Sequence, residues 1–122
     1  MIRILIADDH AMVRSGLDQL LSSVDDFSVI GHACDGVEAV QLCEVLRPDV
    51  VLMDITMPNM DGLTATRLLH QRNLNVKVIV LSALENQWLL ADSLLAEVDV
   101  ILSKDASINE ILDTVYTVSR NC

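Results

Sequence analysis

Short apolar runs alternate along the chain with longer stretches in which apolar residues recur every three to four positions. Residues 2–7 are apolar apart from Arg3 and end against Asp8 and Asp9. Val13, Leu17, Leu20 and Leu21 then fall on one helical face. Val50 to Met53 is fully apolar and is stopped by Asp54, and residues 76–81 are a similar run stopped by Ser82. The spacing predicts strands at 2–7, 27–32, 50–53, 76–81 and 98–103, the last of them weak. It predicts helices at 10–23, 36–46, 61–72, 86–95 and 106–120. Arg47-Pro48 closes the second helix, because proline disfavours helix in the residue before it. Pro58 and Gly62 frame a loop.

Strictly alternating strands and helices call for an open parallel sheet covered on both faces, with right-handed crossovers and a doubly wound arrangement. No linker, repeat or low-complexity tract interrupts the pattern, so residues 1–122 read as one domain. In such sheets ligands bind outside the carboxyl ends of the strands. That rule gathers Asp8 and Asp9 after the first strand, Asp54 at the end of the third, Ser82 after the fourth and Lys104 after the fifth.

Composition narrows the chemistry. Phe27, Trp88 and Tyr116 are the only aromatics, so the core is built from aliphatic residues and methionine. The net charge of −10 leaves no basic stripe for nucleic-acid phosphates, and most of the acids serve solubility. Cys34, Cys43 and Cys122 form no C-x-x-C and are odd in number, which suits a reducing, cytoplasmic setting with thiols acting as small hydrophobes. Neither a signal peptide nor a membrane-length apolar segment is visible.

Three carboxylates brought together repel unless a cation joins them or their pKa values rise. An oxygen-only set suits Mg²⁺ rather than zinc. A carboxylate can accept a phosphoryl group as an acyl phosphate, whose oxygens the metal, the Lys104 ammonium and the Ser82 hydroxyl would neutralise. Any one of these residues alone would read as a helix cap, a turn former or a surface lysine. The convergence of all of them carries the argument. His10 reads as the start of the first helix, although it could touch the acidic pair. His32 and His70 have no second ligand at metal spacing, Cys43 reads as core, and Met57 and Met60 as packing.

The segments Ile4 to His10, Asp49 to Gly62, Val80 to Ala83, and Lys104 together resemble the receiver domain of two-component response regulators over essentially the whole chain. Asp8-Asp9-His10 with Val13 to Leu17, and Lys104 to Ser107, are similar to the NarL/FixJ (LuxR-type) subfamily. The resemblance implies a flavodoxin-like sheet in the order 2-1-3-4-5 with five helices. It implies that Asp54 takes a phosphoryl group from a sensor histidine kinase, with Mg²⁺ held by Asp9, Asp8, Asp54 and the Thr56 backbone carbonyl. Ser82 and Lys104 would contact phosphoryl oxygens. It further implies a possible homodimer on phosphorylation, no catalysis beyond the domain's own phosphorylation and dephosphorylation, and DNA contact only through a helix-turn-helix output domain absent from this chain.

The last third departs from the pattern. Glu97 and Val100 stand where glycines are frequent, Ile101 where a Tyr or Phe rotates on activation, and Asp105 where a cis proline often follows the lysine. Switching is then expected to rely on the backbone of residues 82–84, with Trp88 as its reporter. Leu84 is expected to slow loss of the phosphoryl group by excluding water. A haloacid-dehalogenase-type phosphatase uses the same parts, but in another chain order and with an Asp where Thr56 stands. A flavodoxin-like electron carrier would need a phosphate-binding loop and aromatic stacking. A pseudo-receiver that binds partners without phosphorylation is the remaining alternative. The complete residue set argues against it, while the altered fifth-strand region keeps it alive.

Overall fold

The computed structural model describes residues 1–83 and 98–120. The strands are β1 (Ile2–Ala7), β2 (Phe27–Ala33), β3 (Val50–Asp54), β4 (Lys77–Ser82) and β5 (Val100–Ser103). The helices are α1 (Ala11–Ser22), α2 (Gly36–Leu46), α3 (Gly62–Gln71) and α4 (Ile108–Arg120). All strand pairings are parallel, and the sheet order is β2-β1-β3-β4-β5, the doubly wound order expected. Four helices are therefore described where five were expected, and the expected helix at 86–95 lies outside the described residues.

Alternation along each strand sorts side chains to the two faces. Leu5, Ala7, Val51, Met53, Val78 and Val80 pack with Ala39, Val40 and Cys43 of α2 and with Leu63, Ala65 and Leu69 of α3. Ile4, Ile6, Val50, Leu52, Ile79 and Leu81 pack with Leu21 of α1 and with Ile111, Val115 and Val118 of α4. Both faces being covered explains why the central strands read as continuous apolar runs. Burial pushes the Cys43 thiol up to about 12, with the charge of Glu44 adding to it, so this cysteine serves as core.

Several element ends differ from the sequence expectation by one or two residues. β3 includes Asp54 and β4 includes Ser82, because Ile55 N–H still bonds Leu81 O (3.1 Å) and Lys104 N–H bonds Ser82 O (3.0 Å). β5 begins only at Val100, since Asp99 uses its carboxylate to accept from Val78 N–H (2.7 Å). α4 begins at Ile108 behind a reciprocal cap: Glu110 N–H donates to Ser107 Oγ (3.1 Å) and Ser107 N–H to Glu110 Oε1 (3.4 Å). No described helix is long and apolar enough to cross a membrane.

Candidate phosphoacceptor site

The sheet register brings the site together. Ala7 pairs with Met53, Met53 with Val80, and Val80 with Ile101, so these four strands end at one level. One residue further lie Asp8, Asp54, Leu81 and Leu102, and Lys104 stands two beyond Leu102. Asp8, Asp54 and Lys104 share the pleat parity of Ile6, Leu52 and Leu102, so all three leave the sheet on its α1–α4 side. Ser82 has the opposite parity.

Asp54 is almost completely buried, at 1 % exposure, and its Oδ2 accepts from Lys104 Nζ at 2.9 Å. Burial raises the Asp54 pKa, and the Lys104 hydrogen bond and charge offset this only in part; the Asp8 charge adds to the rise. For Lys104, desolvation opposes the charge, but the bond to Asp54 and the fields of Asp54, Asp8 and Asp9 outweigh it and hold the ammonium above its ordinary pKa. The two shifts agree on a pocket that is over-supplied with negative charge and keeps the Lys104 ammonium charged.

The acidic pair is closed on one side by α1. Asp8 is buried, Asp9 is exposed, and Asp8, Asp9, His10 and Asp54 each offer a donor atom within 4.8 Å of the others. His10 is the extended residue that precedes α1, and its N–H donates to Asp8 Oδ1 at 2.8 Å. Its ring Nδ1 lies 3.1 Å from Oδ1 of both Asp8 and Asp9. Arg14, one turn on, spans to the Asp8 carbonyl through Nη1 (2.7 Å). Asp8 Oδ2 is buried with no hydrogen-bond partner, and so is Arg14 Nε. An orphaned buried carboxylate oxygen beside two further carboxylates fits a hard divalent cation, which would supply the missing partner.

Thr56 and Ser82 are placed less directly. Thr56 is exposed, and its N–H reaches Asp54 Oδ1 at 3.3 Å. The Ser82 hydroxyl is buried and donates to the Ala83 carbonyl (3.1 Å) rather than to Asp54. Asp8, Asp54 and Lys104 are thus gathered with Asp9, whereas Ser82 and Thr56 flank them. Beneath the site a cleft of about 140 Å³ is lined by Asp8, Val13, Leu17, Leu81, Lys104 and Ile111.

The loop after Asp54 is held by Gly62, already read as framing it, and by Gly36, Asn59 and Asp35, whose part in it sequence reasoning passed over. A Cβ on Gly62 would lie 2.5 Å from the Asp54 carbonyl oxygen, and one on Gly36 would lie 2.4 Å from the Met60 carbonyl oxygen. These glycines let the loop close on β3 and α2, with Gly62 N–H bonding Ile55 O (2.9 Å) and Gly36 N–H bonding Met60 O (3.0 Å). Asn59, in the left-handed region at φ 66°, donates to Asp35 Oδ2 at 2.7 Å. Asp35 Oδ1 meanwhile caps α2 through Glu38 N–H, and these bonds hold its carboxyl below the usual range. A Gly after a loop and an Asp before a helix are visible in sequence; the contact of Asn59 with Asp35 across 24 residues is not.

Other places fit the chemistry less well. A larger cavity, about 460 Å³, lies at the opposite end of the strands, and three of its charged side chains already have other partners. Asp26 accepts from Tyr116 Oη, Asp49 from Arg3 N–H, and Arg120 lies over the Tyr116 ring. His32 Nε2 pairs with Asp18 Oδ2 at 2.7 Å, and among the described residues the two belong to no cluster of metal-binding groups. The Lys104–Asp105 bond is trans. Ile101 is half-buried on β5 opposite Val80, while Leu84, Trp88 and Glu97 lie outside the described residues.

A family profile described as the response regulator receiver domain matches residues 4–116. The transcriptional regulatory protein LiaR of Bacillus subtilis is 39 % identical over 120 residues, covering 98 % of this chain and 57 % of LiaR. Response regulator GacA of Pseudomonas viridiflava is 36 % identical over 118 residues, covering 97 % of this chain and 55 % of GacA. The chain thus spans little more than half the length of these curated relatives. The signal receiver domain of the putative response regulator NarL from Mycobacterium tuberculosis superposes with a TM-score of 0.93 at 30 % identity, covering 99 % of this chain and 98 % of that one. A DNA-binding response regulator of the LuxR family from Staphylococcus aureus gives 0.91 at 30 % identity, covering 98 % and 99 %. On these residues, this register and these relatives, the chain belongs to the receiver domains of two-component response regulators, among their NarL- and LuxR-type members.

Proposed function

We propose that Asp54 is a phosphoacceptor, taking a phosphoryl group from the phosphohistidine of a sensor histidine kinase in a Mg²⁺-dependent reaction. The observation that carries this reading is a buried carboxylate held at 2.9 Å by the Lys104 ammonium and bordered by the acidic pair Asp8 and Asp9. An Asp54 oxygen forms the new bond to phosphorus, the P–N bond breaks, and its electron pair returns to the kinase imidazole. Lys104 orients Asp54 beforehand and then faces the phosphoryl oxygens, where its charge offsets theirs. Ser82 turns its hydroxyl from Ala83 to a phosphoryl oxygen. Asp8, Asp9, Asp54 and the Thr56 carbonyl are the residues that would hold Mg²⁺, which supplies charge neutralisation for the transferred group. Asp8 Oδ2, orphaned and buried, supports that assignment.

The domain performs its own phosphorylation and its own dephosphorylation by water rather than turning over a substrate. It acts in the cytoplasm, dimerises on phosphorylation, and reaches DNA through an output domain, in keeping with relatives named as transcriptional regulators and nearly twice its length. Intact mass after incubation with acetyl phosphate and Mg²⁺ tests the reading. The wild type gains one phosphoryl group and Asp54→Ala does not. A wild type that binds Mg²⁺ yet never gains mass would be a phosphorylation-independent interaction module instead.

A further inference from the structure

Outside the machinery assigned above, the side chain among the described residues that shares the acidic pocket is His10. It occupies the residue before α1 but makes no side-chain cap to that helix, a service that Ser, Thr, Asp and Asn perform and imidazole does not. Its own N–H is instead bonded to Asp8 Oδ1 (2.8 Å), which turns the residue back over the acidic pair. Its Nδ1 stands 3.1 Å from one oxygen of each acid. The ring is 64 % exposed, so it covers the pocket from the solvent side, opposite the buried Asp8 and Asp54 carboxylates.

We propose that His10 is a nitrogen ligand of this pocket, and that it enlarges the site's preference for a borderline transition-metal ion such as Co²⁺ or Zn²⁺ over Mg²⁺. The inference deepens the proposed function and rests on its reading of the pocket as a divalent-cation site. The independent mark of a ligand here is Asp8 Oδ2, an oxygen with no hydrogen-bond partner on a side chain only 2 % exposed. Metal bonds of about 2.1 Å place donor pairs at roughly 3 to 4.2 Å from one another. The donor atoms of Asp8, Asp9, His10 and Asp54 all lie within 4.8 Å of one another, so side-chain rotation and not backbone movement is what remains to bring them onto one ion. Mg²⁺ gains little from imidazole and keeps water in that position, whereas Co²⁺ and Zn²⁺ bind nitrogen well. A carboxylate-only pocket has no such donor to offer them.

Calorimetric titration of the whole chain with Co²⁺ and with Mg²⁺, on wild type and on His10→Asn and His10→Gln, tests this. The ratio of Co²⁺ to Mg²⁺ affinity falls by about tenfold or more in both variants. The visible Co²⁺ absorption of the wild type changes with it, and Zn²⁺ shifts the ring ¹⁵N resonances of His10 but not those of His32. An unchanged ratio overturns the proposal. So does a parallel rise for both metals in the variants, which would make His10 an ion-pair partner that cations must displace. If the wild type binds Co²⁺ through His10 but fails to bind Mg²⁺, the His10 assignment stands and the Mg²⁺ reading of the phosphoacceptor site falls.

Discussion

Lys104 Nζ and Asp54 Oδ2 lie 2.9 Å apart, although fifty residues separate them, and the carboxylate they share a bond through is almost wholly excluded from water. Taking Lys104 away leaves that charge buried and unpaired. Removing one partner of a fully buried pair costs several kcal/mol. Lys104 is 36 % exposed, so solvent screens part of the interaction, and Lys104→Met is expected to destabilise the domain by about 1–2 kcal/mol. Urea unfolding near neutral pH reads this, and the same variant loses most of its capacity to take a phosphoryl group.

Asp54 itself gives stability a pH dependence whose sign follows from its raised pKa. The folded state holds the Asp54 proton more tightly than the unfolded chain. This contribution favours folding below the ordinary value of 3.8 and is lost as pH rises through the higher folded value. Asp54→Asn carries no such charge. Its stability advantage over the wild type is therefore expected to be smallest in acid, to grow with pH through the raised pKa, and then to level off. Urea midpoints of both proteins across that window, with EDTA present, check it; parallel curves would mean that Asp54 carries no burial penalty.

Divalent cation should relieve the same strain. Saturating Mg²⁺ is expected to stabilise the wild type by about 1–3 kcal/mol through binding to the folded state alone. Asp8→Asn, which removes the charge from the orphaned oxygen, should forfeit most of that gain. Thermal melts with Mg²⁺ and with EDTA measure both.

Two glycines should respond in opposite directions to the same change. Gly62→Ala drives a methyl to 2.5 Å from the Asp54 carbonyl oxygen, which forces the acceptor loop to shift and costs about 2–3 kcal/mol. Gly16, in the middle of α1, has nothing within 4 Å of its would-be Cβ, and Gly16→Ala should stabilise by about 0.5–1 kcal/mol. Chemical denaturation of both variants separates a packing restraint from a conformational one.

The sheet and the gathering of Asp8, Asp54 and Lys104 were legible in sequence because each is a backbone consequence. An apolar run ends at a polar residue, and parallel strands bring those ends to one level. What stayed hidden depends on side-chain direction or on loop-to-loop contact. The Ser82 hydroxyl turns to Ala83 because its pleat parity is opposite to that of Asp54. Asn59 reaches Asp35, and Gly62 underlies Asp54, across separations that no periodicity records. His10 was read as a helix start, which it is, but the fold of its ring back onto both acids follows from a backbone bond to Asp8 and not from spacing.

The most direct test is to find where the phosphoryl group sits. Borohydride reduction after phosphorylation by acetyl phosphate converts an aspartyl phosphate to homoserine, which tandem mass spectrometry locates along the chain. The account predicts homoserine at position 54, formed with Mg²⁺ and not with EDTA. Homoserine at position 8 or 9, or labelling at 54 that is indifferent to the metal, would contradict it.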